Sequence, residues 1–82
     1  MKSEREAKAG RVLDCIGLFC PVPVLKTREE IDKMVVGEVL VVLADDPAAE
    51  DDLRSWAGRT GHRILEIKKE PSHISVSIQK TK

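Results

Sequence analysis

Of the two cysteines in this 82-residue chain, Cys20 lies in the segment under the tightest local constraint, Gly17-Leu18-Phe19-Cys20-Pro21-Val22-Pro23. A residue before proline is pushed toward extended dihedrals, and a helix N-cap needs the same dihedrals. Cys20 is therefore predicted as the N-cap of a helix, with Pro21 at the first helical position. Pro23 is tolerated in the first turn, where backbone amides lack intrahelical partners. The prolines remove donors, which leaves the amides of Val22 and Val24 to stabilise an anion on the sulfur. A free thiol of pKa about 8.5 is only about 3% ionised at neutral pH, so a drop of about one unit raises the thiolate several-fold. Asp14, Asp45 and Asp46 push the other way. The chemistry this segment points to is a nucleophilic sulfur at a helix N-terminus.

Other reactive side chains are less well placed. Cys15 alternates with Leu13, which suggests a small packed side chain, though it could serve as a resolving thiol. His62 and His73 follow the cysteines at spacings that match no usual zinc framework, so neither a metal nor a cofactor is expected. His62 starts a strand and His73 sits in a turn. Asp46 reads first as a helix N-cap, and Asp45 or Asp46 could also face a partner. Lys68 and Lys69 read as a solvated strand end, and Trp56 as core.

The elements that must hold Cys20 follow from periodicity. Residues 11–16 predict a short strand with Leu13 and Cys15 on one face. Along the helix after Pro21, Val24, Thr27, Ile31 and Met34 recur at helical spacing. Val39-Leu40-Val41-Val42-Leu43-Ala44 is a continuous apolar run, expected of a strand covered on both faces or central in its sheet. Asp46-Pro47 predicts a second helix, with Ala49, Leu53, Trp56, Ala57 and Thr60 as its apolar stripe and Gly61 as its end. Residues 62–69 predict a third strand with Leu65 and Ile67 inward. Ile74, Val76 and Ile78 alternate with Ser75, Ser77 and Gln79 in a fourth.

The order is β-α-β-α-β-β, and two helices cannot cover both faces of four strands. The expected class is α/β in the α+β sense: a two-layer sandwich, a four-stranded mixed sheet with two helices on one face. Right-handed crossovers make the first three strands run the same way and the fourth run back. Cys20, Asp45 and Asp46 then share one edge with Lys68, Lys69 and the turn around His73.

Composition narrows the function. Fourteen basic and fourteen acidic residues cancel, and Phe19 and Trp56 are the only aromatics. Direct nucleic-acid binding, which favours a basic stripe and stacking platforms, is disfavoured. No apolar leader and no stretch of about 20 apolar residues appears, so no secretory signal or membrane span is predicted. Two cysteines make no disulfide framework, which points to reduced thiols in the cytoplasm. Residues 1–10 read as a flexible tail and residues 11–82 as a single domain.

Gly17-Leu18-x-Cys20-Pro21-x-Pro23, preceded by Leu13-Asp14, resembles the Cys-Pro-x-Pro signature of the TusA/SirA sulfur-carrier family. The resemblance spans residues 12–80 and includes Gly37-Glu38, Ala44-Asp45-Asp46-Pro47 and Gly61-His62. It implies a sulfur-relay protein that accepts sulfane sulfur as a persulfide on Cys20, supported by Gly17, Pro21 and Pro23. It also implies a donor, such as a cysteine desulfurase or a rhodanese-like protein, and an acceptor protein, as in tRNA thiolation, sulfur oxidation or cofactor assembly. The chain would be a sulfurtransferase-type carrier rather than a self-sufficient catalyst. Phe19 stands where many members have a polar or basic residue, and Cys15 is an additional thiol.

Two other classes compete. A thiol redox protein would pair Cys20 with Cys15, because Pro23 occupies the place of the second cysteine in thioredoxin-like motifs. A small RNA-binding or regulatory module is suggested by the element order, which is similar to the C-terminal domain of bacterial translation initiation factor three. Disulfide reductase activity dependent on Cys15 marks the first, and salt-sensitive RNA affinity the second.

Overall fold

The computed structural model describes residues 11–82; the expected tail, residues 1–10, lies outside the described residues. The elements are β1 (Arg11–Cys15), α1 (Val22–Asp32), β2 (Val39–Ala44), α2 (Ala49–Thr60), β3 (Arg63–Lys69) and β4 (Ile74–Gln79). The sheet order is β1-β2-β4-β3, with β1 and β2 parallel and β4 antiparallel to both its neighbours. β1, β2 and β3 therefore share a direction, as right-handed crossovers require.

One face of the sheet carries the core. Leu40, Val42 and Ala44 of β2 are fully buried and pair in register with Ile78, Val76 and Ile74 of β4. Cys15 stands opposite Ala44 on the same face. Ile31 of α1 and Leu53, Trp56 and Ala57 of α2 cover this layer, so both helices lie on one side. The result is a two-layer α+β sandwich with a mixed four-stranded sheet. The apolar run of β2 belongs to an inner strand whose second face no helix covers among the described residues: Val39, Val41 and Leu43 are half-buried there. Next to Val41 in the sheet, Val12 is 68% exposed.

Three local details differ from the pattern read in the sequence. In β3 the register shifts between Ile64 and Glu66, so Leu65 is an extra residue turned outward. Ile64 and Ile67 pack on the core instead of the expected pair Leu65 and Ile67. The second helix starts at Ala49 with Ala48 as its N-cap, and Asp46 caps the preceding turn by accepting the Ala48 N–H at 3.1 Å. The first helix takes Pro21 as its N-cap and starts at Val22, which places Pro23 second in the helix. Gly61 does close α2, at φ 90°, a conformation glycine adopts without penalty.

The C-terminal end of α1 is held from a distance. Lys80, just past β4, donates from Nζ to the carbonyls of Ile31 at 3.0 Å and Met34 at 2.8 Å. A cation there complements the helix dipole and adds a donor at the last turn, where the Ile31 carbonyl also accepts the Met34 N–H at 3.0 Å.

Candidate functional site

Cys20 sits on the loop between β1 and α1, exposed, while Cys15 is buried in the core; both are free thiols. The loop begins with Gly17 at φ 85°, where a side chain would be strained, so this position favours glycine. The Leu18 N–H donates to the Cys15 carbonyl at 3.1 Å and tightens the turn. Because Pro21 is the N-cap, Cys20 lies one residue before it, not on it.

The amides expected to face the sulfur are otherwise engaged. The Val22 N–H donates to the Phe19 carbonyl at 2.8 Å, and the Val24 N–H to the Pro21 carbonyl at 3.1 Å. No free helix-end donor is therefore left for the thiolate at those two positions.

Asp45 and Asp46, expected to share this edge, clamp the Cys20 loop. Asp45 Oδ1 accepts the Gly17 N–H at 2.9 Å, and Asp46 Oδ2 accepts the Cys20 N–H at 2.6 Å. The hydrogen bond from Cys20, with that from Ala48, holds the Asp46 carboxyl below the usual carboxylate range. Asp14 ties the same loop down by accepting the Ile16 N–H at 2.9 Å. On their other side Asp45 and Asp46 line an open groove of about 220 Å³ with Glu50, Glu70 and His73, so the β3–β4 turn does meet this edge. Lys69 pairs with Glu50 at 3.4 Å.

Cys20 opens onto a second groove, of about 190 Å³, lined by Pro21 and Val24 on one side and Asp52, Ser55 and Arg59 of α2 on the other. Asp52 faces the thiol and, with a smaller push from Asp46, raises its pKa above the ordinary cysteine value. Oδ2 of Asp52 is sealed from solvent and has no hydrogen-bond partner among the described residues. The carboxyl acts on the thiol first through a hydrogen bond that favours the protonated form and then, after desolvation, through its charge. Phe19 is 72% exposed, and Ile16 and Leu25 are exposed apolar side chains on the same loop and on α1.

Asp52, Ser55 and Arg59 escaped the sequence reading. They fall at i, i+3 and i+7, one helical face beside the apolar stripe of Leu53 and Trp56. That spacing was visible; which stretch of α2 would stand against Cys20 depended on how the two helices settle side by side.

A two-layer domain that displays one exposed thiol on a clamped loop, and keeps its other thiol in the core, has the form of a small thiol carrier. The family model for sulfurtransferase TusA matches residues 11–80, and the chain belongs to that family. A relative from Aquifex aeolicus, named as a candidate sulfur carrier protein, is 42% identical over 73 residues, covering 89% of this chain and 37% of its own length. YrkI of Bacillus subtilis, named in the same way, is 37% identical over 73 residues, covering 89% of this chain and 97% of its own. The crystal structure of a SirA-like protein from Desulfitobacterium hafniense superposes with a TM-score of 0.76 at 23% identity. It covers 88% of this chain and 99% of the other and, at that identity, shows the fold alone. Among the described residues no helix is long and apolar enough to cross a membrane.

Proposed function

We propose that the chain is a sulfur carrier that holds sulfane sulfur as a persulfide on Cys20. The Cys20 thiolate attacks the outer sulfur of a donor persulfide; the donor's S–S bond breaks, its thiolate leaves, and Cys20–S–SH remains. An acceptor thiolate then takes the outer sulfur and releases Cys20 as a thiolate. No net oxidation occurs in either step. The observation that carries this reading is the exposure of Cys20 on a clamped loop, open to a partner's active site. The TusA family supplies the sulfur chemistry. In this reading the donor is a cysteine desulfurase or a rhodanese-like protein, and the acceptor is a second protein.

The exposed apolar side chains of Phe19, Ile16 and Leu25 give such partners a surface to dock on. A redox role pairing Cys20 with Cys15 finds no such support, because Cys15 is fully buried in the core. The test is intact mass after incubation with a cysteine desulfurase and cysteine. The expected result is a reductant-labile gain of one sulfur, mapped to Cys20 and absent in Cys20→Ser. Loading that survives Cys20→Ser overturns the proposal.

A further inference from the structure

We propose that Asp52 makes the Cys20 groove selective for sulfur donors and acceptors that bring a cationic group beside their reacting sulfur. This rests on the carrier reading above and names the chemistry of the partner at that site. Two observations converge on Asp52. It lines the same groove of about 190 Å³ as Cys20, so a group that occupies this groove beside the thiol also lies beside Asp52. Its Oδ2 is buried without a hydrogen-bond partner among the described residues. A carboxylate charge that no cation neutralises attracts a cationic group entering the groove beside it, without that group having to reach the sealed oxygen.

The charges around the groove agree. Asp46 adds a second negative group on the β2–α2 side of Cys20. Arg59 is the cationic side chain lining the groove. It stands two helical turns from Asp52, and no ion pair joins them. The Asp52 charge is thus not paired by the groove's own cation. When a partner's cation arrives, the negative charge that holds the thiol protonated is neutralised, and Cys20 ionises within the complex. In the free carrier the same charge keeps the thiol in its less reactive form.

The test needs no sulfur transfer. Cys20 attacks the sulfenyl sulfur of an alkyl methanethiosulfonate; the S–SO₂ bond breaks, methanesulfinate leaves, and a mixed disulfide forms. The rate constants for the trimethylammonium-ethyl and sulfonato-ethyl reagents are each divided by those measured with 2-mercaptoethanol, which removes intrinsic reactivity. The corrected cation-to-anion ratio is expected to be about tenfold in the wild type at low salt. It should fall to near parity in Asp52→Asn and be kept in Asp52→Glu, with circular dichroism confirming that both variants fold. Equal ratios in wild type and Asp52→Asn, or parity in the wild type, overturn the proposal. A wild-type protein that selects cations yet loads no sulfur from any donor overturns the carrier reading and leaves the selectivity of the groove standing.

Discussion

The backbone N–H of Cys20 donates to Oδ2 of Asp46 across 2.6 Å, joining the loop after β1 to the loop after β2. These residues are far apart in sequence, and the parallel pairing of β1 with β2 brings their strand ends together. Asp45 repeats the link to Gly17. The loop that carries Cys20 is thus fixed through its backbone, while the thiol itself stays exposed.

Removing that link should loosen the loop without unfolding the sheet. In Asp46→Ala, amide hydrogen exchange at Cys20 and Ala48 is expected to rise by about tenfold, because both donors lose their acceptor. Exchange in β4 should stay unchanged. Sulfur loading by a donor protein should fall with it. The clamp also has a pH signature. The Asp46 carboxyl is held below its ordinary value, so its contribution is present above about pH 4 and lost as pH falls through the lowered value. Protected Cys20 exchange in Asp46→Ala would show that the loop is held by something else.

Cys20 should titrate higher than a free thiol. Its pKa is raised first by Asp52, then by partial desolvation and by Asp46, so less thiolate is present at neutral pH. The rate of alkylation by iodoacetamide should keep rising through and above the pH at which a model thiol levels off. Asp52→Asn should move the whole profile to lower pH and speed alkylation at neutral pH. Cys15, buried and also raised, should react only when the protein is unfolded. An inflection at or below that of a model thiol would contradict the assigned environment.

Much of this architecture was legible in the sequence, and the reasons are local. The alternation of Ile74, Val76 and Ile78 marks a half-buried strand, and the stripe through Leu53, Trp56 and Ala57 marks a helix face; both are fixed by side-chain periodicity. Cys20 stood out because its neighbours restrict its backbone. What escaped depends on contacts distant in sequence. The bulge at Leu65 shifts the phase of β3 because β4 pairs across it, and nothing within residues 62–69 announces it. The direction of the Cys20 pKa shift was open for the same reason. The Val22 and Val24 amides turn inward to nearby carbonyls, and the largest influence on the thiol comes from Asp52 on another helix.

The core offers a paired test of what holds the site up. Thr27 is fully buried on α1, and its hydroxyl has no partner among the described residues. Thr27→Val keeps the shape, replaces that hydroxyl with a methyl group, and should stabilise the fold by about 1 kcal/mol. Leu53→Ala, at a fully buried position of α2, should destabilise it by about 2–5 kcal/mol through lost burial and a cavity. Chemical denaturation of both variants measures the two effects. A destabilised Thr27→Val would mean that the hydroxyl has a partner after all, such as a bound water.

His62 should give the fold a second, milder acid sensitivity. Its ring lies against Trp56, with centroids 5.4 Å apart, and its Nδ1 accepts the Thr81 N–H at 3.2 Å. Protonation removes that acceptor. Burial lowers its pKa below the ordinary histidine value, and the nearby Lys80 and Lys82 add to the shift. The unfolded chain therefore binds the proton more readily than the folded one. Stability from this group is fully present above the ordinary histidine value of about 6.5 and declines as pH falls through the lowered folded value. Denaturation midpoints measured from pH about 7.5 down to about 5 should fall in the wild type. His62→Gln has no titrating ring and should flatten that slope. An equal slope in both proteins would assign the acid sensitivity to the carboxylates instead.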